Sequence, residues 1–99
     1  MIARVWTARA KSDGADAYQA HFREHVLPAL QRIQGCKGAT LLRRADGDEV
    51  ELIVISLWVS EDALREFAGP DLSRAMVGDA ARQVLTSFDT IVRHFTVVT

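Results

Sequence analysis

Three histidines, two tryptophans and one tyrosine hold most of the chemistry that these 99 residues can offer. His21-Phe22-Arg23-Glu24-His25 has the spacing H-x-x-E-H, which zinc peptidases use. Residues four apart share a helix face, so His21 and His25 could ligate one ion. A catalytic zinc needs a third protein ligand, and the remaining histidine, His94, is far along the chain. These positions therefore read as helix residues, and no metal site is expected. His94 lies among Val92, Phe95, Val97 and Val98. There it is either a core histidine or a proton acceptor facing a ligand cavity, since its ordinary pKa suits taking a phenolic proton near neutral pH. Trp58, Trp6 and Tyr18 are either core packing or the walls of a pocket for a flat aromatic substrate. Arg4, Arg9, Arg43 and Arg44 fall in strand-like stretches. A buried arginine needs a partner. Glu49, Glu51 and Asp89 are candidates for ion pairs, the alternative being an arginine that faces the cavity and binds an enolate or phenolate oxygen. Cys36, the single cysteine, lies in a glycine-flanked turn with no activating neighbour and reads as unreactive. Phosphate loop, dinucleotide fingerprint and nucleophile elbow are all missing. No cofactor is expected.

These residues depend on the elements that position them, and Leu52–Val59 is the organising stretch. It is β-branched and aromatic, which favours strand. It does not alternate: Ile53, Ile55, Leu57 and Val59 fill one face, Leu52, Val54 and Trp58 the other. A strand apolar on both faces is normally covered on both, and 99 residues cannot supply two covering layers. Met1–Ala10 reads as an earlier strand. Ser12 or Asp13 can cap a helix from about Ala15 to Gln34. Tyr18, Phe22, Val26, Ala29, Leu30 and Ile33 form its apolar stripe. Pro28 predicts a kink near Glu24–Leu27, and Gly35 suits a left-handed turn after the helix. Gly38–Ala45 and Glu49–Val59 flank Asp46-Gly47-Asp48, a strong hairpin signal. Ser60 caps a further helix, with Glu61 and Asp62 at its positive end. Gly69-Pro70 stops it. A second helical segment is expected from Leu72 to about Leu85, broken near Gly78. Ser87–Val98 alternates and reads as the last strand.

The order is β-α-β-β-α-β, an α+β, ferredoxin-like arrangement with a four-stranded antiparallel sheet and helices on one face. It fits one domain over residues 1–99. The uncovered face carries too much apolar surface to stay wet. Burial gains roughly 25 cal/mol per Å², so pairing two such faces supplies on the order of 10 kcal/mol before association costs. A homodimer through the open sheet face is expected.

Bulk properties exclude several classes. Hydrophobic residues make up 48% and charged residues 25%, ordinary values for a globular chain. A net charge of −1 argues against nucleic-acid binding and against a polybasic membrane surface. Leu52–Ile55 is the longest apolar run, far short of a membrane span. Arg4 and Arg9 interrupt what would be a signal-peptide core. A cytoplasmic protein is the expectation.

Leu57-Trp58-Val59-Ser60-Glu61-Asp62-Ala63-Leu64-Arg65-Glu66-Phe67 resembles the W-x-S-x-E-A-hydrophobic-x-x-F signature of the antibiotic biosynthesis monooxygenase family. Leu27-Pro28-Ala29-Leu30 with Gly35-Cys36-Lys37-Gly38 resembles that family's helix end and turn. Val92-Arg93-His94-Phe95 resembles its terminal V-x-H-Y strand. The resemblance implies the dimeric α/β barrel fold. It also implies one of several activities: cofactor-free oxygenation of anthrones or quinols, haem degradation, or none known. The haem degraders use an Asn on the first strand, a Trp on the second helix and a following His. Here the first strand has no Asn, the helix carries Phe67, and no His lies between His25 and His94. Haem degradation is disfavoured. The leading expectation is cofactor-independent oxygenation of a quinol- or anthrone-like aromatic, with His94 as base and Trp58, Trp6 and Tyr18 as walls. The alternative is a non-catalytic small-ligand-binding or stress-associated homodimer.

Overall fold

A computed structural model describes residues 1–99. Strand β1 (Ile2–Ala10) pairs over its whole length with β3 (Glu49–Trp58), from Ile2 opposite Trp58 to Ala10 opposite Val50. Strand β2 (Cys36–Asp46) covers the other edge of β3. The β2–β3 turn is as tight as its sequence predicts. Asp46 pairs with Glu49, and Gly47 takes φ +66°, the conformation that a primed hairpin turn requires. On its free edge β1 carries two short strands in succession, β4 (Ser87–Phe88) and β5 (Arg93–Thr96). All pairings are antiparallel, in the order β2-β3-β1-β4, with β5 also on β1.

Alternate residues face opposite sides of a strand. Arg4, Ala8 and Ala10 of β1 and Val50, Leu52, Ser56 and Trp58 of β3 are buried against the helices. Val5, Ile53, Ile55 and Leu57 point the other way. Helix α1 (Ser12–His21) and α2 (Leu27–Gln31) lie on the covered side, joined by the π-helical turn Phe22–Val26. Pro28 explains the turn: it has no N–H, and its ring would strike the Glu24 carbonyl in a regular helix. The Leu27 N–H instead reaches back five residues to the Phe22 carbonyl. Helix α3 (Glu61–Ala68) starts at Ser60, whose Oγ accepts the Ala63 N–H at 3.2 Å, and ends at Gly69 with φ +80°. Gly35, at φ +96°, lets the chain pass against α3, where a Cβ would lie 2.6 Å from the Ala63 Cβ.

Three expectations need correction. Helix α1 begins at Ser12 without a side-chain cap; the Asp13 carboxylate accepts the Gly14 N–H instead. The segment Leu72–Gly78 is not helical, and only Asp79–Val84 (α4) is. Its backbone is satisfied at long range. The Ala75 N–H donates to the Thr90 carbonyl and the Val92 N–H to the Ser73 carbonyl, at 2.9 and 2.8 Å, while the Leu72 and Arg74 carbonyls accept from Arg4. The last strand is likewise interrupted at Asp89–Val92, where the chain turns aside to meet this strap through an Arg74–Ile91 bridge.

Candidate functional site

A cavity of about 110 Å³ lies between the sheet and the helices. Strand β1 supplies Arg4 and Trp6, β3 supplies Val54 and Ser56, and α1 supplies Tyr18 and His21. The strap adds Met76, Val77 and Gly78. Cross-strand register sets the sheet side, because Arg4 lies opposite Ser56 and Trp6 opposite Val54. The Trp6 indole is fixed by its N–H, which donates to the Asp89 carbonyl at 2.9 Å. Its ring is 5.8 Å from that of Tyr18, tilted by 41°. The Tyr18 ring is 6.0 Å from His21, and His21 is 5.5 Å from His25. Burial pushes the Tyr18 hydroxyl up to about 12. It stays protonated near neutral pH and can donate a hydrogen bond but not take a proton.

Arg4 differs from Arg9, Arg43 and Arg44. Arg9 pairs with Asp46 and Glu49, Arg43 with Asp16, and Arg44 with Glu51, all at 3.1 Å or less. Arg4 is 5% exposed, and no carboxylate lies within ion-pair distance of it. Its Nη1 donates to the Leu72 carbonyl at 2.6 Å and faces His94 Nε2 at 3.0 Å; its Nη2 donates to the Arg74 carbonyl at 2.8 Å. The guanidinium also lies over Phe67, 5.8 Å from the ring centre. Burial lowers its pKa, yet an arginine remains charged.

His94, the expected base, does not line this cavity. It borders a more open depression with Glu61, Ser73 and Thr96, and Arg4, which lines the first cavity, bonds to His94. An arginine has no acceptor, so His94 Nε2 accepts and the neutral ring carries its proton on Nδ1. Burial first, and then the Arg4 charge, hold its pKa below the usual histidine range, with Glu61 opposing. Trp58 is wholly buried beneath the cavity. Its N–H donates to Ser56 Oγ at 2.9 Å and its ring stacks on Phe67 at 5.3 Å. Trp6 and Tyr18, which the sequence leaves open between core and wall, line the cavity. Two residues of the wall escape the sequence reading as functional: His21, set aside with the H-x-x-E-H spacing, and Phe67. Their apolar neighbours at helical spacing were the only available signal. No group of three His, Cys, Asp or Glu side chains comes together in metal-binding range.

An antiparallel sheet with helices on one face, enclosing an aromatic-walled cavity, is an α+β architecture of the ferredoxin-like type. The model of one such family, antibiotic biosynthesis monooxygenase, matches residues 1–79. The chain belongs to this family. The Mycobacterium tuberculosis protein Rv2558 is 34% identical over 97 residues, covering 95% of this chain and 40% of its own length. The present chain therefore spans well under half of that relative. Among solved structures, the haem degrader MhuD of M. tuberculosis superposes with TM-score 0.70 at 22% identity, covering 100% of this chain and 97% of that one. SnoaB, a cofactor-independent oxygenase of Streptomyces nogalater, superposes with TM-score 0.67 at 24% identity, covering 99% and 93%. These likenesses show a shared fold. No helix is long and apolar enough to cross a membrane.

Haem can be tested against the side chains present. The cavity, about 110 Å³, is smaller than the ~150 Å³ that encloses one benzene ring, so it encloses no porphyrin, and a single ring enters only through its open side. The residues as arranged do not fit that group.

Proposed function

We propose that this chain is a homodimeric oxygenase that needs no cofactor and acts on a small, electron-rich phenol of the quinol type. The observation that carries this reading is the cavity wall: aromatic and aliphatic side chains, one histidine, and one guanidinium without a counter-ion. Each has a role. Trp6, Tyr18 and Phe67 offer ring faces to a flat substrate. His21, the histidine of the wall, takes the phenolic proton. Positive charge at Arg4 favours the phenolate. The phenolate then passes an electron to O2 through its ring carbon, superoxide and the ring radical join to form a C–O bond, and the hydroperoxide loses water. Phenol and O2 become quinone and water, with no external reductant. A single ring that enters from the open side overfills this cavity less than the fused rings of an anthrone. His94 acts on this chemistry through Arg4, whose Nη1 it faces.

The test is a pair of variants followed by oxygen uptake. We expect His21→Ala to lose about 10²-fold or more, the usual contribution of a general base, and His94→Ala to lose less. Full turnover in His21→Ala would remove the assigned base, and a larger loss in His94→Ala would return that role to His94.

A second reading rests on the absence of Asp and Glu from the cavity lining, which leaves no residue to orient a catalytic histidine. The protein would then be a ligand-binding or stress-associated homodimer. Saturable binding of phenols with no oxygen uptake selects it.

The homodimer is supported by the uncovered sheet face. Leu42 and Phe95 are 46% and 48% exposed there, beside half-buried Ile53, Ile55 and Leu57. Two copies packed sheet to sheet remove this surface from water.

A further inference from the structure

We infer that the cavity binds aromatic acids, with the ligand's carboxylate on Arg4; this rests on reading the cavity as a ligand site. A guanidinium has five N–H donors. Arg4 uses three, towards Leu72, Arg74 and His94. The Nε–H and one Nη2–H have no protein partner, yet no side-chain nitrogen here is both sealed from solvent and unbonded. The unbonded Nε is therefore reached by solvent, and Arg4 lines the cavity, so a ligand there meets a guanidinium with donors to spare. Two adjacent N–H groups match the two oxygens of a carboxylate, whereas a phenolate offers one oxygen.

The electrostatics agree. A buried charge is expensive unless an opposite charge meets it. The carbonyls of Leu72 and Arg74 supply only dipoles, and His94 is neutral as an acceptor. Arg9, Arg43 and Arg44 each have a carboxylate, and Arg93, which has none, is exposed to water, so Arg4 alone of the strand arginines is both buried and without an acid. A carboxylate-bearing ligand completes it. The ring of such a ligand has Trp6 and Tyr18 beside it, with its far edge at the open side of the cavity.

Binding of benzoate and benzamide to the unmodified protein tests this without risking the fold. Benzoate is not a phenol and undergoes no turnover, so the result stands apart from any failure of oxygenation. We expect benzoate to bind at least tenfold more tightly than its neutral amide by calorimetry and to shift the Trp6 indole N–H resonance. Equal affinity, tighter binding of benzamide, binding of neither, or benzoate binding that leaves the Trp6 resonance unmoved overturns the assignment. Arg4→Lys keeps the charge and removes the fork. We expect the preference for benzoate to fall below threefold in that variant, and an unchanged preference would take the carboxylate off Arg4.

Discussion

Tyr18 is the only tyrosine in the chain, so ultraviolet absorbance of the whole protein reports its ionisation. An exposed phenol loses its proton near 10, and burial moves Tyr18 to about 12. Between those values the unfolded chain binds fewer protons than the folded one, so stability falls as pH rises from about 10. We expect the folded protein to titrate near pH 12 and the urea-unfolded chain near 10; a folded titration near 10 would place the hydroxyl in solvent and out of the wall. Residues of this kind are the readable part of the site. Tyr18 belongs to the apolar stripe of its helix, which directs it inward, whereas Trp6 lies on a strand apolar on both faces and is singled out only by its size and type. The division of labour between Arg4 and His94 is hidden in the sequence, because it depends on a register that pairs residues 90 positions apart. Arg4, Arg9, Arg43 and Arg44 look alike until the positions of the carboxylates are known.

Among the elements, caps and turns follow local chemistry and are legible, whereas the strap is not. Ser60 satisfies the α3 N-terminus as its sequence predicts. We expect Ser60→Ala to cost about 1 kcal/mol in urea denaturation. Gly35→Ala should cost more than about 1 kcal/mol, since its φ is +96° and the new Cβ meets the Ala63 Cβ. A neutral result in either variant would contradict the packing described. Leu72–Gly78 has helix-compatible composition, but its carbonyls are claimed by Arg4 from the far end of the chain. Tertiary hydrogen bonds override local preference there. That attachment is pH-dependent. His94 faces Arg4 from β1 and Glu61 from α3, and its pKa is lowered in the fold. Below its ordinary value of 6.5, the unfolded chain takes up the proton first. Stability is therefore full above pH 6.5 and declines as pH falls below it. His94→Gln should flatten this decline in chemical denaturation, and an unchanged slope would show that the Arg4–His94 contact does not govern it.

At the scale of the whole molecule, the covered face was legible from composition because Leu52–Trp58 is apolar on both sides. Only 14 of 99 residues are buried in one chain, so much of the second apolar face still awaits cover. We expect sedimentation equilibrium to give a dimer at micromolar concentration, and Ile55→Lys, which sets a charge in the middle of the open face, to give a monomer. A monomeric unmodified protein would contradict sheet-to-sheet packing. Function is less legible at this scale, since the same fold serves the haem degrader MhuD and the cofactor-independent oxygenase SnoaB. Side chains in the cavity must decide.

The most direct measurement is oxygen uptake by chelator-treated, haem-free protein supplied with dihydroxybenzoates and isotopically heavy O2. We expect uptake above the buffer rate, with one heavy oxygen atom gained per molecule of product and the other released as water. Uptake without label in the product, uptake that requires added haemin, or no uptake above buffer would contradict cofactor-free oxygenation.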